Sequence, residues 1–217
     1  MHIERRGFMG RLLKSFLTLG AALALAGPAW SQAPGKDYTL IEPAQATDNP
    51  AKIEVIEFFS YGCPHCSDFN PVLNAWAAKL PADVAFRKVP VTFGRAAWAN
   101  IARLYYTLEA TGDLAKLDGA VFKAIHDERV PLFEERTLTE WVAKKGADPK
   151  KFSETFSSFG IMSKVKRADQ IAQAYRIQGV PAIAVDGKYL VSGKDFNETL
   201  AITDKLIARI RAEKGKK

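Results

Sequence analysis

The sequence predicts an α/β domain interrupted by a helical subdomain, and three observations carry that reading. The β-branched and aromatic run Ile53–Phe59 has the character of a buried strand. From about Ala96 to Tyr175 the apolar residues recur at helical spacing. Strand character then returns at Ala182–Val185, and Asp186-Gly187 follows as a strong hairpin signal.

Taken in order, the residues before Ile53 read as a loose lead-in. After Phe59, Ser60-Tyr61-Gly62 makes a turn and a helix opens at Cys63-Pro64. Pro64 takes the first helical position, where its missing N–H costs nothing. Phe69, Val72, Leu73, Trp76 and Leu80 give this helix an apolar face, and Pro71 is expected to kink it. A second strand is expected over Val84–Phe93. In the helical block, Trp98, Ile101, Leu104, Tyr105 and Leu108 mark one face, ending near Gly112. Leu114, Leu117, Val121, Phe122 and Ile125 mark another. Thr137-Leu138-Thr139-Glu140 fits a capping box for a short helix stopping at Gly146. Asp148-Pro149 starts one more helix, and Ile161–Tyr175 forms the last of the block. Lys188–Val191 is the second hairpin strand, and a closing helix covers roughly Phe196–Ala212. Trp76, Trp98 and Trp141 read as core, and His126 as a helix-surface residue.

Composition narrows the function. With 217 residues, 47% of them hydrophobic, the chain is globular and long enough to bury a core without staples. The formal charge of +7 falls to +4 once Arg5, Arg6, Arg11 and Lys14 are set against Glu4 and removed with residues 1–31. The remaining charge is spread along the chain with no basic stripe, so no nucleic-acid partner is expected.

Those first residues read as an address. A basic start precedes the apolar run Phe16–Ala26, whose eleven residues are too few to span a bilayer core of ~30 Å and suit a signal peptide. Small residues at Ala29 and Ser31 place cleavage after Ser31, since a cut after Ala33 would leave Pro34 next to it. The expected organisation is a signal peptide over 1–31 and a mature domain over 32–217, with the helical insertion at about 96–175. Arg5-Arg6 also resembles a twin-arginine export signal, although Glu4 is atypical there. Either route leads out of the cytoplasm.

The chain has two cysteines, Cys63 and Cys66, in the tetrad Cys63-Pro64-His65-Cys66. Two thiols three residues apart cannot make a scaffold. Both fall at the positive end of a helix, where unpaired N–H groups favour a thiolate over a thiol, and a cationic or donating His65 adds to this. The consequence is a reactive Cys63 with Cys66 placed to resolve a mixed disulfide. Haem attachment would need His after the second Cys, and Ser67 stands there. A zinc site would have to recruit His65 and His126, and an inert disulfide would leave the strand–turn–helix setting unused. On spacing alone both remain open.

Phe58-Phe59-Ser60-Tyr61-Gly62-Cys63-Pro64-His65-Cys66 resembles the active-site segment of the DsbA family of periplasmic thiol:disulfide interchange proteins. Gly179-Val180-Pro181-Ala182 resembles that family's cis-proline loop, and the helical block its insertion, so the likeness covers 37–213. The resemblance implies a thioredoxin-like fold, with the helical subdomain inserted between the second strand and the cis-Pro strand. It implies an exposed nucleophile at Cys63, a buried partner at Cys66, and tuning of the redox potential by Pro64 and His65. Glu57 matches a buried acid beneath the disulfide and Lys88 a lysine near it, while Val180 and Pro181 match the substrate-docking loop. Tyr61-Gly62 departs from the Phe-Phe of the best-known member, which puts the groove surface in question. Also implied are a monomer acting on reduced exported polypeptides in the periplasm and a DsbB-like, quinone-linked membrane partner for reoxidation. No metal or organic cofactor is expected. A disulfide isomerase or reductase is an alternative, although only about twenty mature residues precede the first expected strand, too few for a dimerisation domain. A peptide-binding holdase with incidental cysteines is another.

Overall fold

A computed structural model describes residues 34–215; the expected signal peptide over 1–31 lies outside them. The central element is the strand read from sequence as buried, Ile53–Phe59 (β2), all seven of whose residues are buried. A strand covered on both faces is rich in apolar residues on both; here five of the seven are apolar, and the two others, Glu54 and Glu57, are buried charges that need partners. It is preceded by β1 (Tyr38–Leu40) and followed by α1 (Pro64–Ala77), β3 (Val84–Pro90) and five helices: α2 (Ala96–Thr111), α3 (Leu114–His126), α4 (Glu135–Lys144), α5 (Pro149–Phe156) and α6 (Phe159–Ala174). The chain closes with β4 (Ala182–Val185), β5 (Tyr189–Val191) and α7 (Phe196–Lys214).

The sheet order is β1-β5-β4-β2-β3. β2 runs parallel to β3, with Glu57 opposite Lys88, and antiparallel to β4, with Glu57 opposite Ile183. One face packs Val55 with Phe69 and Leu73 of α1 and with Leu206, Ile207 and Ile210 of α7. The other packs Ile56 and Phe58 on Ala168 and Ala172 of α6. A third core lies within the helical block and includes Phe59, Tyr61, Cys63 and Cys66. The cysteine loop is therefore packed into the inserted helices as well as carried by the sheet.

Several boundaries differ from the sequence expectation. β1 lies in what read as a lead-in, because three residues carry no period and its strand character comes from pairing with β5, Tyr38 opposite Val191. β3 stops at Pro90 rather than Phe93, since Phe93 (φ 47°) and Gly94 (φ 72°) turn the chain left-handed. The Asp169 carboxylate holds that turn through the N–H and hydroxyl of Thr92, at 3.0 and 2.7 Å. The capping box at Thr137 does not form. α4 begins three residues earlier, with Glu134 as its N-cap, and the Thr139 hydroxyl donates back to the Glu135 carbonyl at 2.9 Å. Val72 is 37% exposed rather than part of the apolar face of α1, which carries Pro71 in its interior.

Other local signals hold. Asp148 caps α5 by accepting from the N–H groups of Lys150 and Lys151. Asp186 (φ 51°) and Gly187 (φ 67°) form a type I′ turn closed by Lys188 N–H on Val185 O at 3.0 Å, and strand pairing resumes at Tyr189.

Candidate active site

The site grows from the end of β2. Ser60 builds the turn: its carbonyl accepts the Cys63 N–H at 3.0 Å and its hydroxyl the Gly62 N–H at 3.2 Å. Cys63 is the N-cap of α1, in extended conformation (φ −97°, ψ 118°), with Pro64 just inside the helix. Pro64 and His65 point outward and are exposed, while Cys66, one turn in, is fully buried.

The two sulfurs are unbonded in this structure, which is the dithiol form. The Cys63 thiol is lowered from 9.0 to about 6, chiefly because the Cys66 thiol donates to it; partial burial opposes this, and the amides of Cys66 and His65 and the His65 charge assist. No amide meets side-chain capping geometry at this sulfur, so the helix terminus acts on it as a field more than as a cap. Cys66 is pushed far upward by donating to Cys63 and by burial. One thiol of the pair ionises and the other holds its proton.

Cys63 is not the openly exposed nucleophile that the resemblance implies: it is only 7% accessible. The cause is tertiary. The loop before β4 brings the Val180 carbonyl to 3.3 Å from Cys63 Sγ. As a thiol, Cys63 donates to that oxygen; on ionisation the contact becomes repulsive, so Val180 works against the thiolate that Cys66 and the amides favour. The Val180–Pro181 bond is cis, as expected from the resemblance. Beside it a groove of about 340 Å³ is lined by His65, Phe69, Pro181, Ile183 and Phe196, with the Phe69 and Phe196 rings stacked 4.7 Å apart.

Beneath the cysteines lies a polar cluster. Glu57 is 1% exposed, and burial raises its carboxyl from 4.5 to about 8; Lys88 opposes the shift and the Asp118 charge adds to it. Lys88 Nζ donates to Asn70 Oδ1 at 2.6 Å and to Asp118 Oδ2 at 3.1 Å, and lies 3.7 Å from Glu57 Oε2. The Tyr61 hydroxyl donates to Asp118 Oδ1 at 2.7 Å. The structure thus brings together Glu57, Lys88, Cys63, Cys66, Val180 and Pro181, all singled out from sequence.

It also adds Asn70, Asp118 and His126. His126 is not a surface residue: its Nε2 lies 2.8 Å from the Tyr61 carbonyl. One signal could have found two of these. Leu114, Asp118, Phe122 and His126 fall at four-residue intervals, so Asp118 and His126 share the apolar row of α3. A charge on such a row calls for a partner.

Tyr61-Gly62 turns out to be interior rather than groove surface. Tyr61 is 1% exposed and packs on Phe59 and Phe122. A Cβ at Gly62 would lie 2.9 Å from Trp98 Nε1. Trp98 therefore flanks the active-site loop and is only partly buried, as is Trp76, whereas Trp141 is core.

The family profile for the DSBA-like thioredoxin domain matches residues 54–203. The thiol:disulfide interchange protein DsbA of Bordetella parapertussis is 41% identical over 195 residues, covering 88% of this chain and 92% of the relative. That of Pseudomonas aeruginosa is 37% identical over 204 residues, covering 93% and 96%. The crystal structure of Pseudomonas aeruginosa DsbA superposes with a TM-score of 0.80 at 39% identity, covering 84% of this chain and 96% of the other. With the fold, the helical insertion and the paired thiols at a helix N-terminus on one chain, the protein belongs to the DsbA family, the DSBA-like thioredoxin domain proteins.

Proposed function

We propose that this thiol:disulfide oxidoreductase oxidises other polypeptides by donating its Cys63–Cys66 disulfide through a mixed disulfide at Cys63. A substrate thiolate attacks Cys63 Sγ, the Cys63–Cys66 bond breaks, and its electron pair leaves on Cys66. The buried Cys66 holds a proton far more readily than a charge, and Glu57, protonated at neutral pH, is the nearby donor. A second substrate thiolate then attacks the substrate's own sulfur and expels Cys63 as a thiolate. The substrate leaves with a disulfide and the enzyme with two electrons more. The observation that carries this reading is the placement of the pair: Cys63 is the N-cap of α1 and Cys66 is fully buried one turn in, so that the outer thiol is lowered to about 6 while the inner one is raised. A stabilised leaving thiolate favours the reduced enzyme, hence transfer of the disulfide outward.

Val180 and Pro181 dock the substrate by position: the Val180 backbone meets Cys63, and Pro181 borders the apolar groove, which suits a side chain near the substrate cysteine. Pro64 and His65 tune the couple from the exposed rim. The substrates are reduced exported polypeptides in the periplasm, and a DsbB-like, quinone-linked membrane protein restores the disulfide. The leader at 1–31, removed from a mature 32–217 domain, supports that compartment. Among the described residues no helix is long and apolar enough to cross a membrane.

Equilibration of the pair with glutathione buffers, together with oxidation of a reduced peptide, tests the reading. An oxidising couple, and activity abolished by Cys63→Ser, are expected. A strongly reducing couple would make the protein a reductase, and peptide protection surviving Cys63→Ser would make it a holdase.

A further inference from the structure

Lys88 sits among three oxygens at unequal distances. Asn70 Oδ1 lies at 2.6 Å and Asp118 Oδ2 at 3.1 Å, but Glu57 Oε2 at 3.7 Å. The ammonium's hydrogen bonds go to α1 and α3, leaving Glu57 Oε2 buried without a hydrogen-bond partner. Asp118 is held from both sides, one oxygen on Lys88 and the other on the Tyr61 hydroxyl. Its side chain also keeps 13% exposure against 1% for Glu57. Two carboxyls thus compete for one cation, and the ammonium's hydrogen bond goes to Asp118, while Glu57 is left beyond hydrogen-bond distance.

We propose that Asp118 is a positioning residue for the exchange reaction. Its ion pair with Lys88, braced by Tyr61, draws the ammonium out of hydrogen-bond reach of Glu57, so that Glu57 keeps the proton Cys66 takes when the disulfide opens. The inference rests on the proposed role of Glu57 as that donor. The groups bearing on Glu57 are Lys88 from β3, Asp118 from α3, Tyr105 from α2, and Tyr61, Cys63 and Cys66 from the loop and α1. From β4 the facing residue is Ile183, which is apolar. Lys88 is the one cation in this set, and it is the group that draws the Glu57 carboxyl downward, so its distance from Glu57 matters. The step balances within the protein and its substrate. The substrate thiolate forms a bond to Cys63, the electron pair of the broken bond goes to Cys66, and a proton moves from the Glu57 carboxyl to that sulfur.

Asp118→Asn removes the competitor and its negative charge. Lys88 then turns to Glu57, and the Glu57 carboxyl titrates lower by about one to two pH units. The infrared band of the protonated carboxyl reads this directly, with Glu57→Gln identifying the band. In stopped-flow reaction of the oxidised protein with a reduced peptide, the alkaline fall in rate moves down by the same interval. Asp118→Glu, which restores the charge, brings both back. If Asp118→Asn does not fold, Asp118→Ser, smaller and neutral, gives the same readings. A Glu57 midpoint unmoved by loss of the Asp118 charge overturns the inference. A profile unaffected by Glu57→Gln overturns the underlying role of Glu57 and takes the inference with it.

Discussion

His126 Nε2 lies 2.8 Å from the carbonyl oxygen of Tyr61. The last turn of α3 thereby holds the loop that carries Cys63, although the two residues are 65 positions apart. A carbonyl accepts, so the imidazole must present Nε2–H. Its ring also stacks on Phe122, which packs on Tyr61. The inserted helices and the reactive loop are one packed unit at this point.

Removing that donor leaves a carbonyl without its partner and loosens the loop. His126→Ala is expected to cost about 1–3 kcal/mol of stability. The denaturation midpoint should fall at unchanged slope, and mixed-disulfide formation at Cys63 should slow. Unchanged stability would mean that His126 does not anchor the loop.

The acidity of Cys63 makes stability depend on pH with a definite sign. Folding lowers this thiol from 9.0 to about 6, through the Cys66 donor first and the amides and His65 next. A group lowered on folding stabilises fully above its unfolded value and loses that contribution as pH falls through its folded one. The reduced form should therefore exceed the oxidised form in stability most near pH 9, with the gap closing toward pH 6; above pH 9 the raised Cys66 thiol works the other way, because the unfolded chain releases a proton that the folded one holds. Glu57 acts in the opposite sense, since its carboxyl is raised from 4.5 to about 8 and costs stability as pH climbs through that interval. Denaturant midpoints of the two redox forms measured across pH separate the effects, because only the dithiol form carries the Cys63 term. A gap that does not depend on pH would contradict the thiolate.

Gly62 faces the indole of Trp98. A methyl group there would meet Nε1 at 2.9 Å and Ile101 Cδ1 at 3.2 Å. Gly62→Ala should destabilise by about 1–3 kcal/mol through overpacking. Trp98→Ala removes the obstacle, so the double variant should be more stable than the sum of the single changes predicts. Strict additivity in that cycle would show that the indole is not what excludes a side chain.

Pro181 borders the groove next to the Val180 contact with Cys63. Proline has no N–H, so it presents no donor beside the mixed disulfide. Pro181→Thr adds an N–H and a hydroxyl there, and substrate should be held longer. Substrate-linked species should accumulate on non-reducing gels after acid quenching and vanish in the Pro181→Thr, Cys63→Ser double variant. Normal turnover without adducts would displace Pro181 from the docking role.

The sequence by itself determined the central strand, the helical block, the hairpin and the pair of thiols. Each of these is written in local terms: a β-branched and aromatic run in Ile53–Phe59, a helical period after Ala96, two left-handed positions at Asp186-Gly187, and a Cys-Pro start that fits an N-cap and first turn. Glu57, Lys88 and Pro181 were legible through resemblance to a family whose motifs stand beside them. The tertiary structure alone decided what those residues meet. β1 exists because β5 pairs with it, the Val180 carbonyl shields Cys63 from across 117 residues, and Trp98 closes on Gly62. It also decided that Asp118 rather than Glu57 holds the Lys88 ammonium in a hydrogen bond, a difference of 0.6 Å between 3.1 and 3.7 Å. Hydrogen bonds and ion pairs act over a few ångströms between atoms that the chain brings together only on folding, and periodicity along the chain carries no record of them.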